Sequence, residues 1–396
     1  MKKAILVIAV VLLVALTLPT AIFAESNTDY TSTQTYQMLN EFVTAFPSRS
    51  TSQQERAVAN YIANKFADFH YSVEVQSVPE SAYGYATYNA IAFKDNPSAT
   101  DCIVIGAHYD CNQGTLGGGE GANDNASGVV ALLQIAEQLK DVTLPFDLYI
   151  VAFGGEEQGL YGSDYFVRHF YNSTLHNSKL PLESIRVMFN MDSIANGDNL
   201  YVQVENKPTN LANLILQNAS GKANLLEKPH AVGVFNADMW GYGYYETVQN
   251  TDHTSFRLAG VPVVNFFSGN FANWNFVESA DSNKNTMNTD LDKLANCNQA
   301  WIDKIDTVVS TVVSTVISSE FDEVSKNARS ELLNIDFWYN RLWPKIATVV
   351  ILIVLTILAV LHHRKLQKQA IMGTASANTT HIFETPSSDD IFTLKD

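Results

Sequence analysis

The chain is short of cysteine, of positive charge and, over one long stretch, of histidine. Cysteine occurs three times in 396 residues, as Cys102, Cys111 and Cys297. That is too few for a disulfide scaffold, which a domain of this size does not need. Cys102 and Cys111 bracket "IVIGAHYD"; as an extended strand this segment holds them about 30 Å apart, beyond bridging reach. Free thiols are expected. Lys and Arg total 25 against 41 Asp and Glu, for a net charge of −16. Such a chain lacks the basic footprint of a nucleic-acid binder, and its acidic balance favours solubility. No histidine stands between His253 and His362.

Both ends carry apolar runs. "MKKAILVIAVVLLVALTLPTAIFAES" has a basic start at Lys2 and Lys3, an apolar stretch from Ala4 to Leu18, and Ala24 as a cleavage position. This is the pattern of a signal peptide over 1–24, so export is expected. "IATVVILIVLTILAVL", Ile346 to Leu361, is slightly short of the roughly 20 residues of a spanning helix. Trp338, Tyr339 and Trp343 suit a membrane interface beside it, and Lys345 can snorkel. Arg364, Lys365 and Lys368 follow at once, which predicts a single-pass membrane protein with a cytoplasmic carboxyl end. The tail over 362–396 is expected to be cytoplasmic and, from Gln369 onward, unstructured. One extracellular domain over 25–335 remains.

Within that domain strands and helices alternate. "YSVEVQSV", "YNAIAF", "DCIVIGAHYD", "FDLYIVAF", "IRVMFNMDSI", "NLYVQVEN" and "VPVVNFFSG" read as strands, the third to fifth being continuous apolar runs covered on both faces. Gln53 to Phe69, Asn125 to Lys140, the segment after Ser163, "TNLANLILQNA" and "LDKLANCNQAWIDKIDTVVSTVVSTVI" read as helices. The alternation predicts an α/β fold, a single globular domain with a sheet flanked by helices on both faces. Sequons at Asn125, Asn172 and Asn218 are weak signals, and a glycan could not fit at Asn125.

Ligands of open α/β sheets gather at the carboxyl ends of strands. There the chain places His108 and Asp110, the adjacent Glu156 and Glu157, and Asp192. The glycine-rich "GTLGGGEGAND" ends in Asp124, just before a helix. Singly, each has an ordinary reading: a core histidine, a helix cap, a turn acid. Together, so many anions would repel unless a cation offset them. One imidazole with several carboxylates suits Zn²⁺, or less often another divalent metal.

"GAHYD", "GANDNASGV", "FGGEEQGLYGS" and "NMDSI" resemble the signature of the secreted zinc aminopeptidases with co-catalytic metals. This is the clan MH family of bacterial leucyl aminopeptidase and aminopeptidase Y, with glutamate carboxypeptidase-like relatives. The resemblance runs from about Tyr36 to Ile317 and implies a central mixed, mostly parallel sheet of the zinc-peptidase/phosphorylase type. It implies His108 and Asp192 on one metal, Asp124 bridging two, and Glu157 on the other. It further implies Asp110 as orienter of His108 and Glu156 as general base, acting on peptide substrates.

One departure stands out. The family's last histidine sits in a "YHTPxDTxDKL"-like stretch. Here that stretch reads "KNTMNTDLDKL", with Asn285 at the histidine. Asn is a poor zinc ligand beside imidazole, so one tight and one weak or missing zinc are expected. His253, in "TDHTSF", resembles a segment that lines the family's site without binding metal. The resemblance thus implies a membrane-anchored aminopeptidase. It leaves open a catalytically impaired surface binding protein, or a single-zinc acyltransferase like the glutaminyl cyclases. "FSGNFANWNF", Phe267 to Phe276, follows a strand as either a side-chain pocket or a packed loop.

Overall fold

The computed structural model describes residues 30–112, 119–170, 180–204, 210–227, 251–270, 278–335 and 343–380. The signal segment, residues 114–118 of the glycine-rich loop, Asn172, residues 271–276 of the aromatic loop and the last 16 residues lie outside these. The chain divides into a unit ending at Arg329 and a second unit from Ser330.

The first unit is built on an eight-stranded sheet. Its strands are β1 (Ser72–Val78), β2 (Thr87–Lys94), β3 (Cys102–His108), β4 (Asp147–Phe153), β5 (Ile185–Met191), β6 (Asn199–Val204), β7 (Asn224–Glu227) and β8 (Val263–Gly269), in the spatial order β1-β2-β4-β3-β5-β8-β6-β7. The central block β4-β3-β5-β8 is parallel throughout. The antiparallel pairings β1 with β2, β2 with β4 and β6 with β8 flank it. The expected mixed α/β domain is therefore what forms.

Period-two alternation sorts the central strands between two cores. Ile103, Ile105 and Ala107 of β3 join one cluster with Leu148, Ile150 and Ala152 of β4. Cys102 and Val104 turn to the other face with Tyr149, Val151 and Phe153. The first face is covered by helices α1 (Gln34–Ala45), α2 (Ser52–Asp68), α3 (Gly128–Leu139), α5 (Asn210–Asn218) and α7 (Gln299–Ile317). The second takes α4 (Tyr161–Arg168) and α6 (His253–Leu258), with Phe153, Phe166 and Phe256 in mutual ring contact. All three cysteines are buried and free, as expected, and Asn125 is fully buried, so it carries no glycan.

Two boundaries differ from the sequence pattern. The helix read from "LDKLANCN" onward begins only at Gln299, because Asn298 caps it by accepting from the backbone N–H of Ala300 and Trp301 at 2.9 and 3.4 Å. Residues before it form a loop and one short turn, which frees Asp292 for another task. In the second unit, α9 (Trp343–Thr380) runs well past the apolar stretch and past Gln369, where an unstructured tail was expected. Good helix formers such as Leu366, Gln367, Lys368 and Ala370 carry it on. Helix α8 (Ser319–Ile335) straddles the division between the units.

Arg49 fastens the frame beneath the sheet's carboxyl edge. It is fully buried. Its Nε donates to Tyr109 O at 2.6 Å, Nη1 to Phe46 O and Glu120 O at 2.9 and 2.8 Å, and Nη2 to Gly121 O at 2.8 Å. Its guanidinium also lies 5.2 Å from the Phe42 ring centroid. One planar fork thus ties the segment after β3 to the segment that enters α3, which a lysine's point charge cannot do. Arg49→Met should cost about 3–5 kcal/mol in denaturant unfolding, since it strands buried carbonyls. A loss below about 1 kcal/mol would show that those carbonyls find other partners.

Candidate metal centre

His108 ends β3, the strand between β4 and β5. Parallel neighbours finish at the same sheet edge, so residues just beyond Phe153 and Met191 rise beside it. That is where Glu156, Glu157 and Asp192 stand. His108 and Asp192 are each 1% exposed.

His108 Nδ1 lies 3.2 Å from the backbone carbonyl of Asp110. A carbonyl oxygen only accepts, so Nδ1 carries the proton and Nε2 is left to face the carboxylates. Nε2 lies 3.2 Å from Asp124 Oδ1 and 3.3 Å from Asp192 Oδ1. Both distances exceed the roughly 2.7–2.9 Å of a charge-assisted hydrogen bond. They match the separation of about 3.3–3.4 Å between ligand atoms around a tetrahedral ion with bonds near 2.0–2.1 Å. Asp124 Oδ1 and Asp192 Oδ2 are buried without a hydrogen bond. His108, Glu156 and Asp192 each offer a ligand atom within 4.8 Å of the others. An imidazole lone pair among orphaned carboxylate oxygens is the donor set a zinc-like ion fits.

Asp124 is held by its neighbours' side chains. Asn123 Oδ1 accepts from the N–H of Ala195 and Asn196 at 3.0 and 2.8 Å. Asn125 Nδ2 donates to Met191 O at 2.9 Å, while its Oδ1 accepts from Ser193 N and Gly128 N at 3.2 and 3.0 Å. The "NDN" turn is thereby stitched to the segment carrying Asp192. Gly128 must be glycine there, because a Cβ would meet Asn125 Oδ1 at 2.5 Å and Met191 O at 2.6 Å.

Asp110 has a different task from the expected one. Its Oδ1 is 3.5 Å from His108 Nδ1, beyond hydrogen-bond reach. Its two oxygens instead accept from the backbone N–H of Glu156 and Glu157, at 3.1 and 3.0 Å. Orientation of His108 falls to the Asp110 carbonyl, and the carboxylate fixes the turn bearing the paired glutamates. The adjacent acids diverge: Glu156 joins the His108 cluster, whereas Glu157 Oε1 accepts from Asn112 N at 3.1 Å and lines a cavity with Asp124.

Asn285 does not line that cavity. Its Oδ1 accepts from Ser279 N at 2.9 Å and its Nδ2 donates to Ser282 O at 3.4 Å, both within its own loop. Asn288, Thr289 and Asp292 line it instead, with Asn112, Gly119 and Gly121. Asp292 is tied in by accepting from Asn123 N and Asp124 N at 2.6 and 2.9 Å. Sequence reasoning missed this support, as well as Arg49 and Glu278. The Glu278 carboxylate gathers Asn123 Nδ2, Asn196 Nδ2 and Met287 N at 3.2, 3.1 and 2.8 Å. No pattern marks such residues, because each acts through contacts distant in the chain. Of the aromatic segment, Phe267 to Gly269 belong to β8, and residues 271–276 lie outside the described residues.

The electrostatics follow from this crowding. Burial pushes Glu156 well above the carboxylate range, with Asp192, Asp252 and Asp110 adding and His108 opposing. Burial and Asp124 push Glu157 up to about 9. Burial opposes a charged His108, but Glu156 and Asp192 outweigh it and raise the imidazole well above its usual value. Behind the site, Glu55 of α2 is fully buried, accepting from Tyr85 Oη at 2.6 Å and from Thr87 Oγ1. Burial and Asp110 push it up to about 8. An acid with a raised folded pKa binds its proton more tightly in the native state. Its contribution is whole below an unfolded value near 4.5 and is lost as pH rises through about 8. In metal-free protein, Glu55→Gln should therefore gain stability relative to the parent between pH 5 and 8.5, measured by urea unfolding. An equal difference at both pH values would contradict the shift.

The profile of peptidase family M28 matches residues 89–313. Among curated proteins, aminopeptidase YwaD of Bacillus subtilis is 28% identical over 171 residues, which is 43% of this chain and 32% of that protein. Glutaminyl-peptide cyclotransferase of Drosophila melanogaster is 26% identical over 233 residues, 52% of this chain and 63% of that one. The chain thus spans about a third to two thirds of the curated relatives it matches. Of solved structures, BSAP, a zinc aminopeptidase from Bacillus subtilis, superposes with a TM-score of 0.54 at 16% identity, covering 74% of this chain and 96% of that one. Porphyromonas gingivalis glutaminyl cyclase does so with a TM-score of 0.51 at 19% identity, over 73% and 96%. Those two likenesses speak for the fold, while the profile covers more than half of the chain, and the chain accordingly belongs to peptidase family M28.

Proposed function

We propose that this chain is a membrane-anchored zinc exopeptidase, an aminopeptidase that removes amino-terminal residues from peptides. The observation that carries the reading is the approach of Asp124 Oδ1 and Asp192 Oδ1 to His108 Nε2, at 3.2 and 3.3 Å. Those three side chains would hold the zinc. Bound there, zinc supplies Lewis-acid polarisation of a water molecule and of the scissile carbonyl.

Glu156 is the group to take the proton. Its backbone is fixed by Asp110, and its carboxyl neighbours His108 and Asp192, within reach of a water bound among them. Having accepted a proton from water on a carboxylate oxygen, it can return that proton to the leaving amine. Asp252, buried and pushed up to about 7 by burial, adds negative charge beside Glu156 and favours proton uptake there.

A second reading, cyclisation of amino-terminal glutamine with release of ammonia, is favoured by the presence of one imidazole in the cluster and by the cyclotransferase relative. Glutaminyl peptides tell the two apart, because cyclisation releases ammonia without consuming water. Helix α9 supplies the anchor. Its segment Lys345–Leu366 has 22 residues and a mean hydropathy of 2.5, about 33 Å at 1.5 Å per residue, enough to span. Arg364, Lys365 and Lys368 support a cytoplasmic end beyond it.

Purified protein should hydrolyse aminoacyl chromogenic substrates, and Glu156→Gln should lower turnover about 10²- to 10⁴-fold while zinc content stays constant. Activity within a factor of a few of the parent would remove Glu156 from this role; a zinc-loaded but inert parent would mark a surface binding protein. Protease added to intact cells should release the large domain. A protected domain with a clipped carboxyl tail would reverse the orientation.

A further inference from the structure

The turn that carries the paired glutamates opens with four consecutive backbone amides, and buried side-chain oxygens face all of them. Gly154 N donates to Asn89 Oδ1 at 3.3 Å, while Glu156 N and Glu157 N donate to the two oxygens of Asp110 at 3.1 and 3.0 Å. The N–H between them, on Gly155, faces Glu55. Glu55 stands on the first turn of α2 and is fully buried. Thr87, the first residue of β2, links it to the turn. Its Oγ1 donates to Glu55 Oε2. The rest of Thr87 packs against both glycines: a Cβ on Gly154 would collide with Thr87 Oγ1, and one on Gly155 would meet Thr87 Cγ2 at 3.0 Å. Two successive glycines have little rigidity of their own, so the course of this turn depends on what it rests against.

We propose that Glu55 is a positioning residue for the general base: through Thr87 and the Gly155 amide it fixes the turn from which Glu156 reaches the His108 cluster. Burying a carboxyl is costly without partners, and an apolar side chain would fill the same space at lower cost. The hydrogen-bond count suits a neutral acid. Tyr85 Oη has one proton and lies 2.6 Å from Glu55 Oε1 and 3.1 Å from Ser50 O. With Glu55 protonated, Oε1–H donates to Tyr85 Oη, Tyr85 donates to Ser50 O, and Oε2 remains to accept from Thr87. Glutamine has the same layout, an amide N–H toward Tyr85 and a carbonyl toward Thr87, whereas methionine has neither. Asp110 thus holds the glutamates themselves, and Glu55 with Thr87 holds the two glycines that aim them. The inference rests on the preceding reading of Glu156 as the general base.

The test uses the full chain in detergent micelles, loaded with zinc. Glu55→Met, Glu55→Gln and Thr87→Val are compared with the parent in slightly acidic buffer, where burial keeps the proton on Glu55. On an aminoacyl chromogenic substrate, kcat should fall about 10- to 10²-fold in Glu55→Met and in Thr87→Val, with KM and zinc content little changed. Glu55→Gln should recover most of that loss. Hydrogen exchange over residues 154–157, read by mass spectrometry, should quicken in the two impaired variants and not in Glu55→Gln. The inference is overturned if kcat per zinc-loaded chain, or exchange at the turn, stays at the parent's value in both Glu55→Met and Thr87→Val. It is overturned as well if Glu55→Gln is as impaired as Glu55→Met, which would assign the effect to charge rather than to hydrogen bonding. A parent inert on every aminoacyl and glutaminyl substrate would sink the peptidase reading instead. The exchange pattern then decides alone: faster exchange in Glu55→Met but not in Glu55→Gln supports the positioning role, and equal exchange removes it.

Discussion

Crowding several carboxylates around one imidazole at the ends of buried strands is the constraint on which the molecule depends. Anions so placed repel one another and resist desolvation, so the cluster is tolerable only if protons or a cation offset it. Burial and the neighbouring carboxylates raise the proton affinities of Glu156 and Glu157. Cation uptake is prefigured by the spacing of His108, Asp124 and Asp192. A site that must exchange one for the other suits the metal-dependent proton transfer proposed for it.

The surrounding polar network keeps that cluster from relaxing. Asn123, Asn125 and Ser127 couple the Asp124 turn to the segment after β5, with Ser127 Oγ donating to Asn123 O at 2.7 Å and accepting from Ile194 N at 3.2 Å. Asp110 clamps the glutamate turn, and Asp292 and Glu278 hold the loop before α7 against Asn123. Arg49 closes the ring from below with bonds to four carbonyls. Buried polar groups with such partners rigidify a site, and each partner removed leaves another group stranded. Negative side chains can therefore be aimed at an ion before it arrives.

The loop before α7 departs from the register that its sequence suggests. An alignment anchored on "DKL" puts Asn285 opposite the family's histidine, yet the chain turns so that Asn288 reaches the cavity. Loops without regular hydrogen bonding carry no periodicity, so their register follows from contacts such as Asp292 with Asn123 and Asp124. The missing imidazole follows from either register, since no histidine lies between His253 and His362. Which residue occupies its place does not.

By itself, the sequence determined the α/β class, all three central parallel strands around His108, the apolar helix near the carboxyl end, and the acids and histidine at the strand ends. Those features are local: apolar periodicity dictates element type, and residues following a buried strand must emerge at its carboxyl edge. Tertiary structure decided the rest. It added α1, β7, α6 and α8, delayed α7 to Gln299, and carried α9 to Thr380. It assigned the Asp110 carboxylate to the Glu156 and Glu157 amides and left His108 to a carbonyl. It also brought Arg49 and Glu55 under a site more than 50 residues downstream of them. A hydrogen-bond partner far along the chain leaves no mark in sequence spacing, because only packing sets the distance between them.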